Sequence, residues 1–285
     1  MQAATSPFNH RGLSALLILL SVAVGLHLVM GVACCCAQTK QTGREDERAQ
    51  HARQMEQRAQ GIKVYQVKEG KKVEVPRHER PLLRFSDPAR EIFDGTLWAW
   101  GTSGRPVAIV TLERYQPLWS YELVSLAIDG VAADLPDGRR WAPRKPGLEW
   151  QAFPDAPAPA EGEAQRLRQV KALAERFSGF ETIGTGNFEL RRMPTPIHRY
   201  SSRDGGTLDG ALFLLVYGTN PEVLIVLECQ GNEKPAWKYS LSRLTTAPVS
   251  VGLDGREVWT RPHIASLLGL DEPYMGFAQE AGQVK

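Results

Sequence analysis

The stretch ALFLLVYGTNPEVLIVLE, Ala211–Glu228, decides the reading of this chain. Two apolar runs, 211–217 and 223–227, flank a short turn carrying Gly218, Asn220 and Pro221. A strand with one wet face alternates apolar and polar residues, and these runs do not. Both faces of the sheet they form must therefore be covered. The stretch TLWAWGTSGRPVAIVTLE, Thr96–Glu113, aligns with it at an offset of 115.

Around this stretch, residues 72–113 align with 187–228 without a gap, and about 11 of the 42 positions are identical. The identical pairs include Arg84/Arg199, Asp94/Asp209, Gly95/Gly210 and Glu113/Glu228. After a three-residue insertion, PLWSYELVSL matches PAWKYSLSRL in a W-x-Y-x-L pattern. Upstream, residues 49–59 match 164–174. Self-similarity at a fixed period marks a duplicated unit. Apolar positions recur at helical spacing at Leu167, Val170, Leu173, Ala174 and Phe177, and more weakly at Ala52, Met55, Arg58, Ala59 and Ile62. Short β-type runs follow each of them, separated by turn residues such as Asp94-Gly95, Asp137-Gly138, Asp209-Gly210 and Asp254-Gly255. The expected fold is α+β: a tandem duplication of a helix-plus-antiparallel-sheet unit forming one pseudo-twofold body. In that body the free sheet face of one unit is covered by the other.

The expected layout is a signal or anchor segment over 1–36, unit 1 over 44–150, a Pro/Ala linker over 151–158, unit 2 over 159–270 and a tail over 271–285. A short helix is expected from His263 to Leu270. Residues 13–33 are apolar save Ser14, Ser21 and His27, with Arg11 before them, the order of an export signal. An N-terminal hydrophobic helix long enough to span a bilayer fits the same run. Ala33-Cys34 at its end is similar to a bacterial lipobox, which makes Cys34 the candidate lipid-attachment residue. Cleavage after Ala37 and retention as an anchor remain open alternatives. All three place residues 40–285 in the cell envelope, exported and membrane-anchored or periplasmic.

The chain of 285 residues carries 34 Lys+Arg against 32 Asp+Glu, which gives no electrostatic case for nucleic-acid binding. With four cysteines, three of them adjacent, it has no disulfide framework. Motifs for zinc hydrolysis, phosphate-loop binding and serine hydrolysis are absent, so no catalytic residue, metal or cofactor is expected. The glycines of ETIGTGNFE read as an entry loop to a strand. His198 is the one histidine to weigh as an acid/base, against a structural role. The repeated Arg84, Asp94, Glu113, Arg199, Asp209 and Glu228 read as structural, with Arg84–Glu113 and Arg199–Glu228 as ion pairs and the Asp-Gly steps as turns. Their functional alternative is a pair of glutamates with arginine anion clamps. Trp98, Trp100, Trp119 and Tyr121 are either core or the lining of a ligand groove. Cys229 reads as a buried thiol.

At ELRRMPTPIHRY, DGALFLLVYGTNPE and W-x-Y-x-L the chain resembles a family of uncharacterised exported proteins from planctomycete-type bacteria, over most of residues 44–260. The resemblance implies an exported, two-unit protein and carries no activity. A few short segments are also similar to the opening of periplasmic lipoprotein-carrier proteins, whose sheet cradles acyl chains. The expected function is a membrane-tethered extracytoplasmic binding or structural protein without catalysis, its partners being the membrane, an unknown protein or a small apolar ligand. The alternatives are a carrier of a hydrophobic ligand and a hydrolase of envelope polymers.

Overall fold

The computed structural model describes residues 47–115, 117–202, 206–265 and 269–280. The apolar run 13–33 and Cys34 lie outside the described residues. Among the described residues, no helix is long and apolar enough to cross a membrane. The chain divides into two compact units, Met1–Gln54 and Met55–Lys285, and every strand belongs to the second.

Helix α1 covers residues 47–60. β1 (Lys63–Lys68) and β2 (Lys71–Val75) form a hairpin, and β3 (Leu83–Asp87), β4 (Ile92–Trp100), β5 (Ala108–Tyr115) and β6 (Leu118–Ser125) a meander. β7 (Gly130–Asp134), β8 (Arg140–Trp141) and β9 (Gln151–Ala152) are short. Helix α2 (Glu163–Glu175) leads to a second hairpin, β10 (Phe177–Ile183) and β11 (Gly186–Arg192). A second meander follows: β12 (His198–Ser202), β13 (Thr207–Tyr217), β14 (Asn220–Gln230) and β15 (Ala236–Arg243). β16 (Val249–Leu253), β17 (Arg256–Arg261) and β18 (Tyr274–Glu280) complete the chain.

The expected α+β class is overturned. Strands make up 52 % of the described residues and helix 13 %, so the fold is mostly β, with large antiparallel sheets and a half-barrel rather than helix-plus-sheet repeats. The helical stripes are real but short, and each helix covers only part of a sheet face. One sheet has the order β2-β1-β7-β8, a second β18-β6-β5-β4-β3, and a third β17-β16-β10-β11-β13-β14-β15-β9 with β12 beside β13. The meanders match in register: Gly95 faces Glu113, and Gly210 faces Glu228. The stretch read as a linker opens with β9, which pairs with β15, and Phe153 after it is buried. The stretch read as a tail contains β18, which pairs along nearly all of β6. No helix forms at residues 263–265 or 269–270.

The two-faced burial of 211–228 has a direct structural cause. Ala211, Phe213, Leu215, Val223, Ile225 and Leu227 point into one cluster, with α2, β10 and β16 over them. Leu212, Leu214, Val216, Leu224 and Val226 point the other way, into a cluster shared with Leu97, Ala99, Ile109 and Val124 of the first meander. The two meanders thus pack face to face. Each large side chain so buried stabilises the fold by about 1.5–3 kcal/mol. The outer face of the first meander is covered by Val64, Val131 and Ala133 of the four-stranded sheet and by Met55 and Ala59 of α1.

The Asp-Gly steps at 94–95 and 209–210 lie inside β4 and β13, not in turns. Their glycines have a packing reason. A Cβ at Gly95 would clash with the Phe85 ring, and one at Gly210 with the Tyr200 ring. Each ring lies flat over its strand because the glycine leaves room. Asp137-Gly138 and Asp254-Gly255 are true turns, with left-handed backbone at Gly138, Asp254 and Gly255.

Candidate functional site

The repeated arginines do not pair with the repeated glutamates. Arg84 binds Asp94 through both Nε and a terminal nitrogen, the Nε bond being 2.8 Å. Arg199 binds Asp209 in the same way, at 2.9 and 2.6 Å. Arg166 of α2 adds a bond of 3.0 Å to Asp209. Two strands in register place each arginine beside the aspartate of the neighbouring strand, so the aspartates serve as ion-pair anchors rather than turn residues.

Glu113 and Glu228 both project between the meanders but into separate clusters. Glu228 is fully buried and accepts from Arg105 at 2.8 Å, Tyr200 at 2.7 Å, Gln230 at 2.7 Å and Thr207 at 3.2 Å. At the matching positions of the other repeat stand Asn220 for Arg105, Phe85 for Tyr200, Tyr115 for Gln230 and Ile92 for Thr207. Glu113 accordingly accepts from Tyr115 at 3.1 Å, and burial pushes its carboxyl up to about 7. The cation that acts on it, Arg90, is committed elsewhere, to Glu181 at 2.6 Å and Glu222 at 2.7 Å. Glu113 and Glu228 thus share no hydrogen-bond partner.

Arg90, Glu181, Glu222, Glu113 and Glu122 together make a buried polar seam. Burial, then the neighbouring Glu181, pushes the Glu222 carboxyl well up. Burial, then Glu113, does the same to Glu122, which accepts from the Tyr274 hydroxyl at 2.7 Å. Arg105 and Arg90 both run from the first meander to carboxylates of the second half of the chain, so the seam ties the two halves together.

The other residues singled out are structural in their placement. Trp98, Trp100, Trp119 and Tyr121 are at most 3 % exposed and share one core cluster, so they line no open groove. The alternation that puts them on one face turns that face towards the four-stranded sheet. The His198 ring meets the His78 ring edge-on at 4.9 Å. Burial, then His78, lowers its pKa to about 4, so it is neutral near pH 7. Cys229 is buried, and burial pushes its thiol up to about 11. Among the described residues no three His, Cys, Asp or Glu side chains are grouped to hold a metal ion.

Among the described residues, volume and unneutralised charge come together at a different place. A cavity of about 490 Å³ opens between β6 and β18 on one side and β15 and β17 on the other. Its size is within the range of small-molecule sites. Val124, Leu241, Ile264, Pro273 and the Tyr274 ring give it an apolar wall. Its rim is fixed by backbone hydrogen bonds, from Ser125 to the Pro273 carbonyl at 2.8 Å and from Ile264 to the Thr246 carbonyl at 2.9 Å. Arg243 forms part of the wall at 7 % exposure. Its three guanidinium nitrogens donate to the carbonyls of Thr245, Pro262 and Ala247, at 2.6, 2.9 and 2.8 Å.

No family model, curated protein or solved structure matches this chain.

Sequence reasoning does not single out the cavity residues. Arg243 and Trp259 sit near the ends of ordinary strand patterns, and Tyr274 lies in the stretch read as a tail. What brings them together is the pairing of β18 with β6, between residues about 150 positions apart. A local pattern carries no sign of it. One clue is present: the pair Trp141/Trp259 marks matching positions, and the structure buries Trp141 while leaving Trp259 on the cavity wall.

Proposed function

We propose that this chain is a non-catalytic, membrane-tethered extracytoplasmic binding protein that holds a small ligand in the cavity between β6/β18 and β15/β17. The observation that carries the reading is the cavity itself, about 490 Å³ with an apolar wall and a buried arginine. The remaining buried charges support it. Glu228, Glu222, Asp94 and Asp209 are engaged in ion pairs that join strands or meanders, which leaves them scaffold work. Tethering is supported by the apolar run 13–33 ending at Cys34. No residue of α2 lines the cavity, so an acyl-chain cradle between sheet and helix is not the arrangement favoured.

The test uses N-phenyl-1-naphthylamine, a neutral fluorescent probe of apolar sites. Wild-type protein is expected to bind it at one site. Ile264→Trp, which fills the cavity from its rim, is expected to abolish that site while leaving the melting temperature near that of wild type. Binding unaffected by Ile264→Trp, or no binding by the wild type, would overturn the reading.

A further inference from the structure

The charges on the cavity wall are unequal in kind. Five charged residues line it: Lys145, Glu149, Arg243, Arg261 and Glu272. Lys145 and Glu272 neutralise one another, with Nζ at 3.0 and 3.2 Å from the two carboxylate oxygens. Glu149 is exposed at the rim. That leaves the two arginines. Arg261 stacks over the Trp259 ring at 4.6 Å and donates to the Thr260 carbonyl at 2.9 Å. Arg243 is buried and held by carbonyl oxygens, and its guanidinium lies over the Tyr274 ring at 5.3 Å.

Carbonyls orient a guanidinium but do not cancel its charge. Among the described residues no carboxylate lies within ion-pair distance of Arg243 or Arg261. Glu122, the acid that acts on Arg243, is turned to the Tyr274 hydroxyl, and burial raises its pKa, which favours the neutral form. Burial lowers the pKa of Arg243 as well, but a guanidinium stays charged in a protein. Three of its five N–H groups are used by the carbonyls, so two remain for a partner. A buried, uncompensated cation in an apolar wall is costly without a partner, and a bound anion supplies one.

Resting on the binding-protein reading, we propose that the cavity ligand is an amphiphile with an anionic oxygen head, seated at Arg243 and Arg261, and an apolar body against Val124, Leu241, Ile264 and Trp259. A carboxylate and a phosphate share this chemistry, and the fork of a guanidinium fits either.

The experiment displaces N-phenyl-1-naphthylamine from the full chain with decanoate, decyl phosphate, decanol and decyltrimethylammonium. The anions are expected to displace it at about tenfold lower concentration than decanol, with the cation weakest. Whichever anion is stronger identifies the head. Arg243→Met is expected to remove the preference. Because a buried arginine can be needed for folding, Arg261→Gln is the second variant and is expected to reduce the preference at an unchanged melting temperature. Equal displacement by decanoate, decyl phosphate and decanol would overturn the anionic head and leave the binding reading intact. Absence of the probe site in the wild-type protein would instead overturn that reading. A preference that persists in both variants would show that the arginines do not read the head.

Discussion

At the scale of single residues, the two meanders show what a buried glutamate needs. Glu228 is surrounded by four donors, while the matching Glu113 has the Tyr115 hydroxyl and a carboxyl raised to about 7. This has a pH signature. Folded protein keeps a proton on Glu113 between about pH 4.5 and 7, where the unfolded chain has lost it, so its stabilisation is present at low pH and lost as pH rises. His198 works in the opposite sense. Its folded pKa of about 4 lies below the ordinary 6.5, so its stabilisation is present above pH 6.5 and lost as pH falls towards 4. Each contributes at most about 1.4 kcal/mol per pH unit. Urea unfolding from pH 4.5 to 7.5 should show that Glu113→Gln makes the slope of stability against pH more positive than wild type. His198→Phe should make it more negative. Slopes unchanged in both variants would contradict these environments. The identity of these residues was legible in the sequence, but their partners were not. Arg84 and Arg199 are each a strand away from an aspartate, with a glutamate one strand further, and only the register, Arg84 opposite Thr96 and Arg199 opposite Ala211, selects the aspartate.

At the scale of elements, the meander strands were the legible part. Apolar density at 211–217 and 223–227 marked both the existence of β13 and β14 and their burial on two faces, while the runs TLWAW and PVAIVTLERY marked β4 and β5. The short strands β1, β7 and β8 carry too few residues to set a period, and the helical stripes drew weight that the sheets held. β18 is the sharpest case. Its residues YMGFAQE follow a loop near the end of the chain and have no local partner, yet they close the edge of β6. Met275 and Phe277 are buried there, and the Phe277 ring stacks on Tyr121 at 4.5 Å. A chain ending at residue 272 should lose about 3–6 kcal/mol from these two side chains alone. It should also expose the β6 edge to association. Size-exclusion chromatography and thermal melting of the soluble fraction check this. A soluble monomer melting at the wild-type temperature would show that β18 is dispensable.

At the scale of the whole described body, the face-to-face meanders set where a ligand can enter. Their shared face is filled by apolar side chains and crossed by the Arg90 and Arg105 ion pairs. The cavity forms where that packing ends, at the junction of β6 and β18 with β15 and β17. A competing apolar surface lies on the β10–β11 hairpin, where Phe180, Ile183 and Phe188 are 36–39 % exposed. On the proposed function, cargo sits in the cavity and not on that hairpin. Photo-crosslinking with a diazirine-bearing alkyl probe, followed by peptide mapping, separates the two. Adducts within residues 241–243 and 259–264, lost in Ile264→Trp, are the predicted result; adducts confined to the hairpin, or none, would contradict it.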